Sequence, residues 1–211
     1  MHQKAPPYGG VFCYMKEDSG WIYFKHVRLV SINCLPTNII LLRAGRDGPS
    51  DFHHLAGLHK LTDNVRFLTG KTANIMQEIL SGNLTLSHAQ RSVFFKQTEP
   101  CLKPLAHLEE FLDSNEIVFR YNSKVHAFSA IQADYLLQNS FEGTPVYLFL
   151  ARRMGEDTQV CRTFFPKSEK DYAEGQPRYT LLKKEKLNLQ TGDTIIQYDR
   201  LAPRQGPKEG A

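Results

Sequence analysis

Ser50-Asp51-Phe52-His53-His54-Leu55-Ala56-Gly57-Leu58-His59-Lys60-Leu61 gathers three of the chain's eight histidines within seven residues, beside a lysine and a glycine. Wound as a helix of about 3.6 residues per turn, it puts Phe52, Leu55 and Leu58 on an apolar side. His53, Gly57 and Lys60, spaced i, i+4 and i+7, then share a polar side that Gly57 leaves uncovered. Asp47-Gly48-Pro49-Ser50 is a turn signal ahead of it. Ser50 is placed to cap the first free amides, and Asp51 to sit at the positive end of the helix dipole. His54 falls toward Leu58 and Leu61, and His59 between Phe52 and Leu55. In such boundary places a packed histidine bonded to backbone is as ordinary as a functional one.

Upstream, the apolar run Ile39-Ile40-Leu41-Leu42 reads as a buried strand feeding this helix. Before that, residues 11–14 and 21–24 flank Lys16-Glu17-Asp18-Ser19-Gly20 as an aromatic-rich hairpin. Downstream, residues 62–71 are polar and basic with Gly70, and read as a mobile loop beside the helix. Three helical segments follow, carrying Ile75, Ile79 and Leu80, then residues 86–95, then Leu105, Leu108, Phe111 and Leu112. Ser81-Gly82-Asn83 and the stretch from Pro100 to Pro104 punctuate them. From Ile117 the pattern turns to strands at 117–121, 126–136, 146–150, 160–165, 179–182 and 194–198. Turn signals fall at Asn122-Ser123, Glu142-Gly143-Thr144-Pro145 and Gly155-Glu156-Asp157. Val146-Tyr147-Leu148-Phe149-Leu150 is apolar on both faces, which argues for a central strand. The expected class is α+β, an N-terminal hairpin and helices packed on a C-terminal antiparallel β-sheet. The expected division is a flexible N-terminus at 1–10, one domain over 11–200 and a disordered tail at 201–211.

With 211 residues, 41% of them hydrophobic, the chain is long enough for one domain with a sizeable core. Its 26 basic and 22 acidic residues give +4, a mild bias compatible with a nucleic-acid partner but without a basic tail to coat one. Cys13, Cys34, Cys101 and Cys161 are scattered, with no Cys-x-x-Cys pair, so neither a zinc module nor a disulfide scaffold is indicated. That usage fits reduced thiols in a cytoplasm. No apolar run approaches the roughly 20 residues of a membrane span, and the N-terminus lacks the apolar core of a signal peptide.

Five polar side chains outside the histidine run are candidates for chemistry or binding. In Val160-Cys161-Arg162-Thr163-Phe164-Phe165, strand alternation puts Arg162 on a face with Val160 and Phe164, and Thr163 on the other. Arg162 is either a phosphate clamp or an edge arginine whose stem covers apolar surface. Arg120 presents the same choice. Tyr172 and Tyr179 are candidate phosphate or base contacts, or buried tyrosines with satisfied hydroxyls. Histidines, lysine and arginines without a metal-ligand cluster suit one reaction, RNA cleavage by the neighbouring 2′-hydroxyl. It needs a base near neutral pH, an acid for the leaving 5′-oxygen and cations for the phosphorane, and no metal or cofactor. The chain has no Gly-x-Ser-x-Gly, no phosphate-binding Gly-rich loop and no His-Glu-x-x-His.

The run from Phe52 to Leu61 after a hydrophobic strand, with Arg162-Thr163-Phe164-Phe165 and then Tyr172 and Gln176, resembles the phage-associated branch of the barnase/EndoU/colicin/RelE-like (BECR) nucleases. The resemblance covers about residues 11–185. Its His-Leu-x-Gly-Leu emphasis carries onto His54, Leu55, Gly57 and Leu58, whereas the helical wheel favours His53. What it implies is a metal-independent endoribonuclease that serves as a toxin or as an effector in phage or mobile-element conflict. RNA is then the substrate, and an immunity or antitoxin protein a partner. His54, His53, His59, Lys60, Arg162 and Thr163 are the catalytic candidates, and Arg120, Tyr172 and Tyr179 the substrate contacts. The chain departs from the pattern in having no second well-placed histidine or glutamate in the sheet, which leaves the general acid open. The alternative is a non-catalytic RNA- or protein-binding module on the same fold.

Overall fold

The computed structural model describes residues 28–35, 38–44, 49–68, 71–105, 107–114, 117–127, 129–152, 159–188 and 192–202. Strands β1 (Arg28–Leu35) and β2 (Asn38–Ala44) come first. Helices α1 (Pro49–Leu55), α2 (Val65–Leu68), α3 (Thr72–Leu80), α4 (Leu86–Gln90), α5 (Phe95–Leu105) and α6 (Leu108–Ser114) follow. Strands β3 (Ile117–Arg120), β4 (Tyr135–Phe141), β5 (Thr144–Arg152), β6 (Gln159–Pro166), β7 (Arg178–Asn188) and β8 (Thr194–Asp199) complete the order.

Strands β3 to β8 form an antiparallel sheet in the order β6-β5-β4-β3-β7-β8, with the helices before it in the chain, an α+β arrangement as expected. β1 pairs antiparallel with β2 on one side and with β7 on the other, from Arg28 opposite Asn188 to Leu35 opposite Thr180. β2 then meets β6 in parallel through the single pair Leu42 and Gln159, so the sheet comes round on itself. β2 contains the run 39–42 that reads as a strand. β1 was not anticipated, and the hairpin expected at 11–24 lies outside the described residues.

Alternation along β5 separates two apolar layers. Val146, Leu148 and Leu150 join the helical layer with Phe52, Leu55, Leu58, Leu61, Phe67, Leu105 and Phe111. Tyr147 and Phe149 face the other way, into a cluster with Phe119, Tyr121 and Leu136 that Phe165 and Tyr172 cover. Both faces of β5 are therefore dry, which is why the run 146–150 lacks the polar alternation of a surface strand. Glu142 (φ 48°) and Gly143 (φ 77°) both take positive φ between β4 and β5, the demand of a tight primed hairpin turn.

Three expectations are corrected. Residues 126–127 and 129–134 are not strand: a 3₁₀ turn at Ser123–Val125 leads into irregular chain whose Ile131 and Ala133 pack on the second cluster, so their apolar character serves as cover and not as pairing. Pro100 and Pro104 lie inside α5, and the helix expected over 86–95 breaks between α4 and α5. A proline four residues after another removes the amide that would have bonded the earlier one's carbonyl, so α5 carries its two missing donors in one register. Residues 62–68 are a built turn around the fully buried Phe67, not an open loop.

Candidate active site

Helix α1 ends at Leu55, five residues before the Lys60 that the wheel requires. Ala56 N–H still bonds Phe52 carbonyl at 2.8 Å, but Gly57 takes φ 68° and its N–H returns to His54 carbonyl at 3.0 Å. The chain then makes a 3₁₀ turn at Leu58–Lys60. A left-handed residue just past a helix is where glycine is favoured, because a Cβ there crowds the carbonyl. Gly57 is buried, and its carbonyl accepts from Thr98 Oγ1 at 3.2 Å, which locks the break against α5. The idea of an open polar stripe along His53, Gly57 and Lys60 is thus corrected.

The break decides which histidine faces where. Phe52, Leu55, Ala56, Leu58 and Leu61 are the buried anchors, each at most 7% exposed. His53 is buried with them, and its Nε2 donates to Phe67 carbonyl at 3.0 Å. Burial, countered by that hydrogen bond, lowers its pKa, and His54 lowers it further. His53 is therefore a neutral, oriented ring joining α1 to α2. His54 and His59 are both exposed, with ring centroids 4.8 Å apart. Partial burial, His54 and Lys60 all lower the His59 pKa, while a hydrogen bond to the His53 backbone opposes them. Lys60 Nζ donates to Gln97 carbonyl at 3.3 Å and lies 4.0 Å from Cys101 Sγ, whose pKa burial raises. Two solvent-facing imidazoles side by side, with an ammonium in the next residue, can divide the roles of base, acid and anion stabiliser.

The sheet candidates separate. Arg162 is exposed at a register shift in β6: Phe149 faces Thr163 and Leu150 faces Cys161, so Arg162 is the extra residue of a bulge. A bulge breaks alternation and re-aims a side chain. Cys161 and Phe164 accordingly share the helical layer, which strict alternation through Arg162 and Thr163 forbids. β6 is the strand against which α1 and α5 pack. Arg120, at the end of β3, pairs with Asp134 at 3.7 Å and lies 5.1 Å over the Tyr135 ring, which in turn meets Tyr179 at 6.3 Å. Tyr172 sits on the opposite face of the sheet from the helices, against Tyr147, Phe149 and Phe165. It is not brought together with the histidine turn.

Residues that position the site without announcing themselves in the sequence are Phe67 and Thr98, one through a carbonyl and the other through a hydroxyl. No residue-type signal marks a backbone carbonyl as a histidine's partner. Beneath Tyr172, Tyr147 donates to Asp171 at 2.7 Å and Lys167 pairs with the same carboxylate at 2.6 Å. These bonds hold the Asp171 pKa down to about 2. Among the described residues no three His, Cys, Asp or Glu converge as a metal-ligand group, and no helix is long and apolar enough to cross a membrane.

A family model described as phage-Barnase-EndoU-ColicinE5/D-RelE like nuclease4 matches residues 48–201, from the threshold of α1 to just beyond β8. No curated protein and no solved structure matches the chain.

Proposed function

We propose, from the premise that this chain belongs to the phage-Barnase-EndoU-ColicinE5/D-RelE like nuclease family, that it cuts RNA by attack of the adjacent 2′-hydroxyl, using its own side chains and no metal. The observation that carries this reading is the exposed pair His54 and His59, 4.8 Å apart beside Lys60. His59, whose pKa burial and its cationic neighbours lower, takes the 2′-hydroxyl proton. The 2′-oxygen then attacks phosphorus, and His54 protonates the leaving 5′-oxygen. Lys60 and Arg162 supply positive charge to the phosphorane. His53 is a positioning residue, since its Nε2 is committed to Phe67 carbonyl. Arg120 and Tyr179, joined through Tyr135, serve a flanking nucleotide.

Such an activity suits a cytoplasmic toxin or an effector in phage and mobile-element conflict, restrained by an immunity or antitoxin protein. The test is incubation of the purified chain with labelled RNA in excess chelator. Products ending in a 2′,3′-cyclic phosphate and a 5′-hydroxyl are expected, and a substrate with 2′-deoxyribose at the cleavage site should resist. Activity abolished by chelator and restored by magnesium or manganese refutes the mechanism, as does cutting of all-deoxyribose DNA. The inward turn of His53 favours a second reading, a non-catalytic RNA- or protein-binding module. RNA bound but not cut, with affinity indifferent to His54→Ala, selects it.

A further inference from the structure

Just past the histidine turn in the chain lies a concavity. Arg66, Arg91, His88 and Asn64, with Asp63 and Ser92, line a cavity of about 250 Å³. Its walls are tied across the chain. Asn64 Nδ2 donates to His88 carbonyl at 2.8 Å, Ser92 Oγ donates to Asp63, and Val93 N–H donates to the other oxygen of Asp63 at 2.9 Å. Those two bonds engage the one carboxylate of the lining and hold its pKa low. The two guanidiniums are exposed, and among the described residues neither is ion-paired with a carboxylate. His88 accepts the Thr85 N–H at Nδ1 over 3.0 Å, which leaves the ring proton of the neutral form on Nε2. The lining thus offers two planar cations and an N–H donor to an anion, the equipment that recognises phosphate.

Size and place narrow the ligand. Pockets for drug-sized molecules run to roughly 300–1,000 Å³, so this cavity suits a phosphate with part of its sugar and not a whole dinucleotide. Arg66 belongs to α2, the one-turn helix whose Phe67 carbonyl holds His53. One turn of chain therefore presents Arg66 to the cavity and anchors the histidine run.

We propose that this cavity is a subsite for a backbone phosphate of RNA flanking the scissile bond, gripped by Arg66 and Arg91. It rests on the reading of the histidine turn as a site for RNA, and it asks more of the chain than that reading does.

The test uses the full chain carrying His54→Ala, so that RNA is bound without being consumed. Affinity for a fluorescent single-stranded oligoribonucleotide is measured by anisotropy across a salt series, with and without Arg66→Gln and Arg91→Gln together. The double substitution should weaken binding by about 10- to 100-fold, the loss of charge-assisted hydrogen bonds, and should flatten the salt dependence by about 0.7 log units per phosphate contact removed. Arg66→Lys with Arg91→Lys should restore the salt dependence and only part of the affinity, because an ammonium keeps the charge and loses the fork. The penalty should grow with oligonucleotide length from a dinucleotide upward. Unchanged affinity and salt slope overturn the subsite, as does an equal penalty at every length, which would place the arginines at the scissile phosphate. A parent chain that binds no RNA overturns it as well. RNA that is bound through the arginines yet never cut by the chain with His54 intact keeps the subsite and removes the catalytic reading.

Discussion

Gly57→Ala reads the architecture of the site through the sign of a stability change. At φ 68° an added Cβ would find Thr98 Cγ2 at 3.6 Å and Lys60 Cδ at 3.7 Å, ordinary contact distances, so space is not the issue. The cost is conformational. Holding a non-glycine residue in the left-handed region costs roughly 1–2 kcal/mol. Were residues 50–61 one continuous helix, the same substitution would stabilise it by about 0.8–1.0 kcal/mol, the helix-propensity gap between glycine and alanine. The two geometries thus predict opposite signs, about 2–3 kcal/mol apart by those values. In a chain of this length 1 kcal/mol moves Tm by roughly 2–4 °C, so Gly57→Ala should lower it by about 2–8 °C. Differential scanning calorimetry or a urea midpoint measures this, and Gly57→Asn should lose less, since asparagine tolerates the left-handed region. A raised midpoint for Gly57→Ala would refute the break in the helix, and with it the account of why His54 and His59 stand side by side.

Replacing either His54 or His59 by alanine should lower the RNA cleavage rate by roughly 10²- to 10⁴-fold with affinity nearly unchanged, because proton transfer matters in the transition state; parallel losses in both quantities would make them binding residues. Arg162→Ala should weaken binding and rate together, and a rate loss with full affinity would show that it does not hold substrate in the ground state. The acidic limb of the kcat/KM profile should lie below 6.5, the ordinary imidazole value, because burial, His54 and Lys60 lower the His59 pKa in the free protein. His53 carries a stability signature of the same origin. Its folded pKa lies below 6.5, so the unfolded chain takes up the proton first, and stability present above 6.5 is lost as pH falls through and below it. Denaturant midpoints on the two sides of 6.5 should show that slope, and His53→Gln should reduce it.

The parts of this molecule legible in its residues are those written by periodicity. Val146 to Leu150 proclaims a central strand because both its faces are buried, and Glu142-Gly143 a hairpin because both residues must take positive φ. The histidine cluster was visible as composition, but its geometry was not. A wheel drawn through Gly57 exposes His53 and tucks in His54 and His59, whereas the glycine stops the helix and reverses the assignment. The signal was present, since glycine ends helices, but the apolar spacing continues across it. Cys161, read as facing with Phe165, misled in the analogous way: alternation holds only without a bulge, and the bulge is set by the pairing of β6 with β5. The stretch before Tyr135 looks like a strand because Ile131 and Ala133 are apolar, yet they cover the second cluster from above the sheet instead of pairing within it.

The closure of the sheet has a consequence for how the chain comes into being. β1 is among the earliest described elements, yet one of its two edges lies on β7, with Arg28 opposite Asn188. Pairs so distant in sequence form slowly, because a long loop must be closed before any contact rewards it. A ribosome that has delivered β1, β2 and every helix has still not delivered the strand that completes β1, nor β6, on which α1 rests. A nascent or truncated chain therefore carries the histidines without the sheet that seats them. For a nuclease, this postpones a seated histidine turn until the chain through β7 has been made.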